Sequence, residues 1–102
     1  MKRFAVIISP TAEADIVDSF LWGCEEWGVD VAESWALRLR DEILNQLRLF
    51  PLRFPIAPET AEVGIEFRQM ISGRYRVLFY IIGNEVRVTH VRGAFLGGGV
   101  EE

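Results

Sequence analysis

The stretch Phe67-Arg68-Gln69-Met70-Ile71-Ser72-Gly73-Arg74-Tyr75-Arg76-Val77-Leu78-Phe79-Tyr80 constrains the fold more than any other part of this chain. It holds two strand-like runs joined by a Ser-Gly turn, which makes a β-hairpin that needs a second layer over its apolar face. Side chains alternate across a strand with period two. In simple register, Arg68, Arg74, Arg76 and Tyr80 share one sheet face, and Phe67, Tyr75, Val77, Phe79 and Ile81 form the apolar set that faces a core. Three guanidinium groups and a phenol on one face suit an anionic or aromatic partner. The same arginines could instead pair with Glu66, Glu85 and the loop acids Glu59 and Glu62, contacts of a kind worth about 0–1 kcal/mol each.

The rest of the chain supplies the covering layer. Lys2 to Ile8 reads as a first strand. Ser9-Pro10-Thr11-Ala12-Glu13 then opens a helix, with Ser9 as N-cap and Pro10 at the first helical position. Ile16, Val17, Phe20, Leu21, Cys24 and Trp27 recur at helical spacing as its apolar stripe, and Gly28 closes it. A second helix begins at Val29 or Asp30 and runs to about Phe50, with Asp30 as a cap and Glu33 completing a capping box. Its stripe is Ala32, Trp35, Ala36, Leu39, Ile43, Leu47 and Phe50, and Pro51 stops it. The short link makes an antiparallel helical hairpin.

Residues 51–63, which hold Pro51, Pro55 and Pro58, read as an ordered crossing loop. Ile65–Ile71, Tyr75–Ile82 and Glu85–Arg92 are strands of an antiparallel meander, with Gly83-Asn84 as a tight turn. The expected fold is therefore α+β: an N-terminal strand and an antiparallel helical hairpin packed on one face of a mostly antiparallel four-stranded sheet. Residues 1–93 form the single domain, and residues 94–102 a glycine-rich tail expected to fray.

Composition narrows the function. With 102 residues, half of them apolar, the chain supports one core and is not expected to be disordered. It has no apolar run near the roughly 18 residues of a membrane span, and Met1 to Ile8 is too short an apolar start for a signal peptide. A cytoplasmic location is expected. The one cysteine, Cys24, excludes an internal disulfide and reads as a small core residue. One histidine and one distant cysteine give no metal-ligand spacing, and no cofactor is implied. The net charge of −4 argues against generic nucleic-acid binding. It is unevenly spread: residues 1–63 carry six basic and eleven acidic residues, residues 64–100 five arginines and two glutamates. The strand half is the basic half.

The ordered set of local patterns resembles the RelE/ParE superfamily of bacterial toxins from type II toxin–antitoxin modules, also called plasmid stabilisation proteins. The matching residues are Ser9-Pro10-Thr11-Ala12-Glu13-Ala14-Asp15-Ile16, Leu47-Arg48-Leu49-Phe50-Pro51, Phe67-Arg68, Gly73-Arg74-Tyr75-Arg76-Val77-Leu78-Phe79-Tyr80, Asn84-Glu85-Val86-Arg87-Val88 and Thr89-His90-Val91-Arg92. The resemblance covers nearly the whole chain to residue 93. It implies a growth-inhibiting toxin with a cognate antitoxin as partner. RelE-like members cut messenger RNA at the ribosome, whereas ParE-like members bind and poison DNA gyrase.

Two of the family's chemistries separate on residues. RNA cleavage needs groups that activate a 2′-hydroxyl, stabilise the phosphorane and protonate the leaving oxygen. Arg76 matches the family's arginine after the glycine–tyrosine motif, and Tyr80 and His90 are the other candidates for a ribonuclease. The lysines expected on the preceding strand are replaced by Phe67, Arg68 and Gln69, and the basic residue expected after the last strand by Phe95 or Leu96. The ParE-like reading asks for a binding surface and not an acid–base set, so it leads, with a non-enzymatic action. Its surface is expected to use Arg68, Arg74, Arg76, Tyr80, Arg87 and Arg92, with Trp22 of the hairpin as a further contact. The RelE-like endoribonuclease and an inactive toxin-fold binding module are the alternatives. His90 alternates with Val86 and Val88 and is expected on the helix-packed face; Asp15 reads as part of a solvated helix start. A homodimer through an exposed strand edge is also open.

Overall fold

A computed structural model describes residues 2–93; the expected tail, residues 94–102, lies outside the described residues. The order is β1 (Ala5–Ile8), α1 (Pro10–Trp27), α2 (Val29–Leu49), a 3-10 turn (Pro51–Arg53), α3 (Thr60–Val63), β2 (Arg68–Ser72), β3 (Tyr75–Ile82) and β4 (Glu85–Gly93). The sheet runs β1-β4-β3-β2. The three C-terminal strands are an antiparallel meander, and β1 joins β4 in parallel at one edge. The α1–α2 hairpin covers one face, giving the expected α+β architecture.

Local chemistry explains the helix boundaries. The Ser9 hydroxyl accepts from the Ala12 amide at 3.1 Å, which satisfies one of the unpaired N–H groups of the first turn, and Pro10 follows. Gly28 alone separates the two helices at φ 94° and ψ 155°, a conformation that needs glycine. Asp30 is not the cap of α2: the helix already begins at Val29, and Asp30 sits in its first turn. Pro51 stops α2 and opens the 3-10 turn.

The core joins Ile16 of α1 and Leu39, Ile43 and Leu47 of α2 to Val77, Phe79, Val86, Val88, Val91 and Met70 of the sheet. The buried stripe of α1 differs from the expected one. It is Ala12, Ile16, Ser19 and Gly23, while Val17 and Leu21 stay exposed and Cys24 is half-buried. Small residues on that stripe let the helix lie close to its neighbours. Gly23 is the clearest case, because a Cβ there would stand 2.9 Å from the Trp27 ring and 3.3 Å from Ala32 Cβ.

Register decides which residues look away from the helices. Directly paired residues share a face. Arg68 pairs with Phe79 and Met70 with Val77, so even positions of β2 and odd positions of β3 both face the helices. Simple register therefore fails for Arg68, which is on the helix side. The turn between β3 and β4 pairs Ile82 with Glu85 and Tyr80 with Arg87. Between Phe79↔Val88 and Leu78↔His90 the register shifts by one residue, a β-bulge whose extra residue is Thr89. Past the bulge, the face positions of β4 change from odd to even. His90 thus leaves the helix-packed face where plain alternation put it and lies beside Leu78 on the opposite face; Val91 takes the core position.

Candidate binding face

The bulge assembles the cationic face. On a straight β4, Arg87 and Arg92 would point to opposite sides of the sheet. With Thr89 inserted, Arg87 pairs with Tyr80 and Arg92 pairs with Arg76, all on the side away from the helices. The bulge is held from both ends of its neighbourhood. The Ser9 amide donates to the Val88 carbonyl at 3.0 Å, and the Ser9 hydroxyl donates to the Thr89 carbonyl at 3.2 Å. The Val91 amide donates to Asp15 Oδ2 at 2.9 Å. Asp15 is therefore not a solvated helix charge. It is the acceptor for a backbone group of a buried residue, a role that sequence periodicity gave no means to find.

Two of the three arginines of the face, Arg76 and Arg87, already hold acidic partners. Arg76 Nη2 donates to both oxygens of Glu59 at 2.9 and 3.1 Å, and its Nε and Nη2 donate to Gln69 Oε1 at 3.0 and 2.8 Å. The Arg76 hydrogen bond holds the Glu59 carboxyl below its ordinary range; burial opposes this, and the charges of Arg76 and Arg92 add to it. Glu59 reaches Arg76 because the chain between β2 and the 3-10 turn doubles back. Ile56 bridges Arg68, the Ala57 amide donates to the Phe67 carbonyl at 2.8 Å, and Thr60 Oγ1 both donates to and accepts from the Phe67 backbone. Arg87 donates to Glu85 Oε1 from Nε at 3.1 Å and Nη2 at 2.8 Å, and this bond, with a smaller effect from Tyr80, raises its already high pKa. The Tyr80 ring meets Phe67 edge-on with centroids 5.7 Å apart.

Two of the expected arginines are elsewhere. Arg68 Nη1 donates to the carbonyls of Leu52 (3.3 Å) and Phe54 (2.7 Å) and Nη2 to Glu66 at 2.9 Å, tying β2 to the 3-10 turn. Arg74 lies in the β2–β3 turn, outside both strands, and lines a cavity on the helix side. The sheet face therefore carries Arg76, Arg87 and Arg92 with Tyr80 and His90, ringed by exposed Ile7, Ile71 and Ile82. Trp22 is half-buried against Trp27, with centroids 5.2 Å apart, and lines that same helix-side cavity.

Among the described residues no group of histidine, cysteine, aspartate and glutamate could hold a metal ion, and no helix is long and apolar enough to cross a membrane. What the described residues build is an α+β domain with a charged, partly aromatic sheet face. The fold is shared with a chain of the chromosomal ParDE toxin–antitoxin system from P. aeruginosa, at a TM-score of 0.75, 13% identity and coverage of 89% of this chain and 96% of that one. It is also shared with a chain of the RelBE2 toxin–antitoxin complex from Mycobacterium tuberculosis, at a TM-score of 0.60, 20% identity and coverage of 91% and 93%. No curated protein matches the sequence. Residues 6–94 match the family model of the ParE toxin of type II toxin–antitoxin systems. The chain belongs to that ParE toxin family.

Proposed function

We propose that this ParE-family toxin acts by binding a cellular target, DNA gyrase being the first to test, and that a cognate antitoxin neutralises it. The observation that carries the proposal is the family match over residues 6–94 on a domain whose exposed sheet face offers Arg76, Arg87 and Arg92. Such a face recognises carboxylates or phosphates by charge-assisted hydrogen bonds. The apolar rim of Ile7, Ile71 and Ile82 adds area for the side chains of a partner segment. An antitoxin segment that orders on binding would lay acidic and apolar residues across it. Solved structures of the same fold belong to toxin–antitoxin systems, which supports a protein partner of that kind.

One observation favours a second reading. The bulge brings His90 onto the face that holds Arg76 and Tyr80, so the three candidate groups of a ribonuclease share one surface. Induced expression in a bacterial host separates the readings. Growth arrest with a DNA-damage response supports target poisoning. Arrest with rapid loss of protein synthesis and new messenger RNA ends, abolished by Arg76→Ala, supports the ribonuclease. Normal growth with soluble protein supports the inactive binding module.

A further inference from the structure

A concave site lies on the helix side, away from the arginine face. A cavity of about 600 Å³ opens between the hairpin and the β2–β3 turn, lined chiefly by Trp22, Trp27, Trp35 and Tyr75 with Arg38 and Arg74. The size falls within the roughly 300–1,000 Å³ of ligand pockets. Its wall is a continuous series of rings: Trp22 to Trp27 at 5.2 Å, Trp27 to Trp35 at 6.3 Å and Trp35 to Tyr75 at 4.8 Å between centroids.

Only part of this wall serves the core. Tyr75 is buried and Trp35 packs against the core, but Trp27 remains 40% exposed. The Trp27 ring lies over Gly23, so close that a Cβ there would stand 2.9 Å from it. The charges at the site are Arg38, Arg74 and Glu42. The Glu42 carboxylate already accepts from the Ser72 hydroxyl at 2.6 Å. Arg38 makes no hydrogen bond or ion pair among the described residues. The site therefore combines an aromatic wall with a lining of two arginines and one glutamate, which fits a ring or large apolar side chain flanked by carboxylates.

We propose that this cavity is an anchor pocket for a segment of a partner protein that inserts an aromatic side chain beside acidic residues. The inference rests on the reading of the chain as a toxin with a protein partner, and it assigns that partner a second foothold separate from the sheet face. Anchors of this type, buried in a preformed aromatic pocket, dominate the affinity of small interfaces.

All three tryptophans of the chain line the cavity, so its occupancy reads directly in the tryptophan emission of the full chain. The probes are three capped tetrapeptides: Glu-Leu-Phe-Glu, its charge reversal Lys-Leu-Phe-Lys, and Glu-Leu-Ala-Glu without the ring. The acidic phenylalanine peptide should shift the emission saturably and bind about tenfold or more tighter than either control. Arg38→Glu, a change at an exposed helix position, should abolish that preference for the acidic peptide. Equal binding of the three peptides, no saturable shift at about 1 mM, or an unchanged preference in Arg38→Glu would overturn the proposal. An emission shift that follows protein concentration with no peptide present would assign the pocket to a second copy and would also overturn it. Growth arrest on induction is read separately, so arrest without peptide binding rejects the pocket and leaves the toxin reading standing.

Discussion

Asp15→Ala tests whether the β4 bulge is held from the helix layer. The Asp15 carboxylate accepts from the amide of Val91, a residue only 3% exposed, at 2.9 Å. Hydrogen bonds to charged groups contribute about 1.5–3 kcal/mol, and an orphaned buried N–H costs about 1–3 kcal/mol. Asp15 is itself half-buried, so the lower part of that range applies. Alanine's better helix propensity returns up to about 0.7 kcal/mol. Asp15 lies beyond the first turn of α1, where the helix dipole adds little. The net loss is about 1–2 kcal/mol, which for a domain of this size lowers Tm by about 4–16 °C. Asp15→Asn keeps an acceptor and should lose less. Asp18→Ala, an exposed acid on the same helix, controls for propensity and should be neutral. Thermal denaturation gives the global number, and amide exchange at Val91 the local one. A Tm for Asp15→Ala within about 2 °C of Asp18→Ala, with Val91 still protected, would refute this account of the bulge.

Other outcomes follow from the same geometry. The Glu59 carboxyl is held below its usual pKa by Arg76, so its contribution to stability is present above the unfolded carboxylate range and is lost as pH falls through the lowered folded value. Glu59→Gln should flatten that acid limb in a pH series of melts, with a change at neutral pH of only about 0–1 kcal/mol because the pair is partly exposed; an acid limb identical to wild type would contradict the assignment. Gly23→Ala should destabilise despite alanine's helix preference, since its Cβ would meet the Trp27 ring, and should raise Trp27 solvent exposure in quenching experiments. Phe79→Ala removes a fully buried ring at the centre of the core and should cost about 3–5 kcal/mol in denaturant unfolding.

Much of the architecture was legible because it depends on local chemistry. Ser9-Pro10, Gly28, Pro51 and Gly83-Asn84 each mark a chain reversal or a boundary through their own backbone preferences. The faces of the sheet were harder. A two-residue turn pairs residues of opposite parity, as Ser72 with Tyr75 shows, so even positions on both sides of such a turn never share a face. That rule removes Arg68 from the cationic face, and Met70 on the same strand enters the core. The position of His90 was not recoverable by alternation, because one inserted residue reverses every side chain that follows it. The step of three from Val88 to Val91 is the trace the bulge leaves in the sequence. Glu59 was one of several acids within plausible reach of the arginines, and only the folding back of residues 55–60 along β2 selects it for Arg76. Asp15 gave no signal, since its partner is a backbone amide far away in the chain.

The most direct test of the central claim is induced expression of the wild-type chain beside the Arg76→Glu, Arg92→Glu double variant, with growth and DNA-damage response measured together and folding checked by thermal denaturation. The account predicts arrest with a DNA-damage response for the wild type and normal growth for a double variant that still folds. Equal arrest by a folded double variant would contradict it.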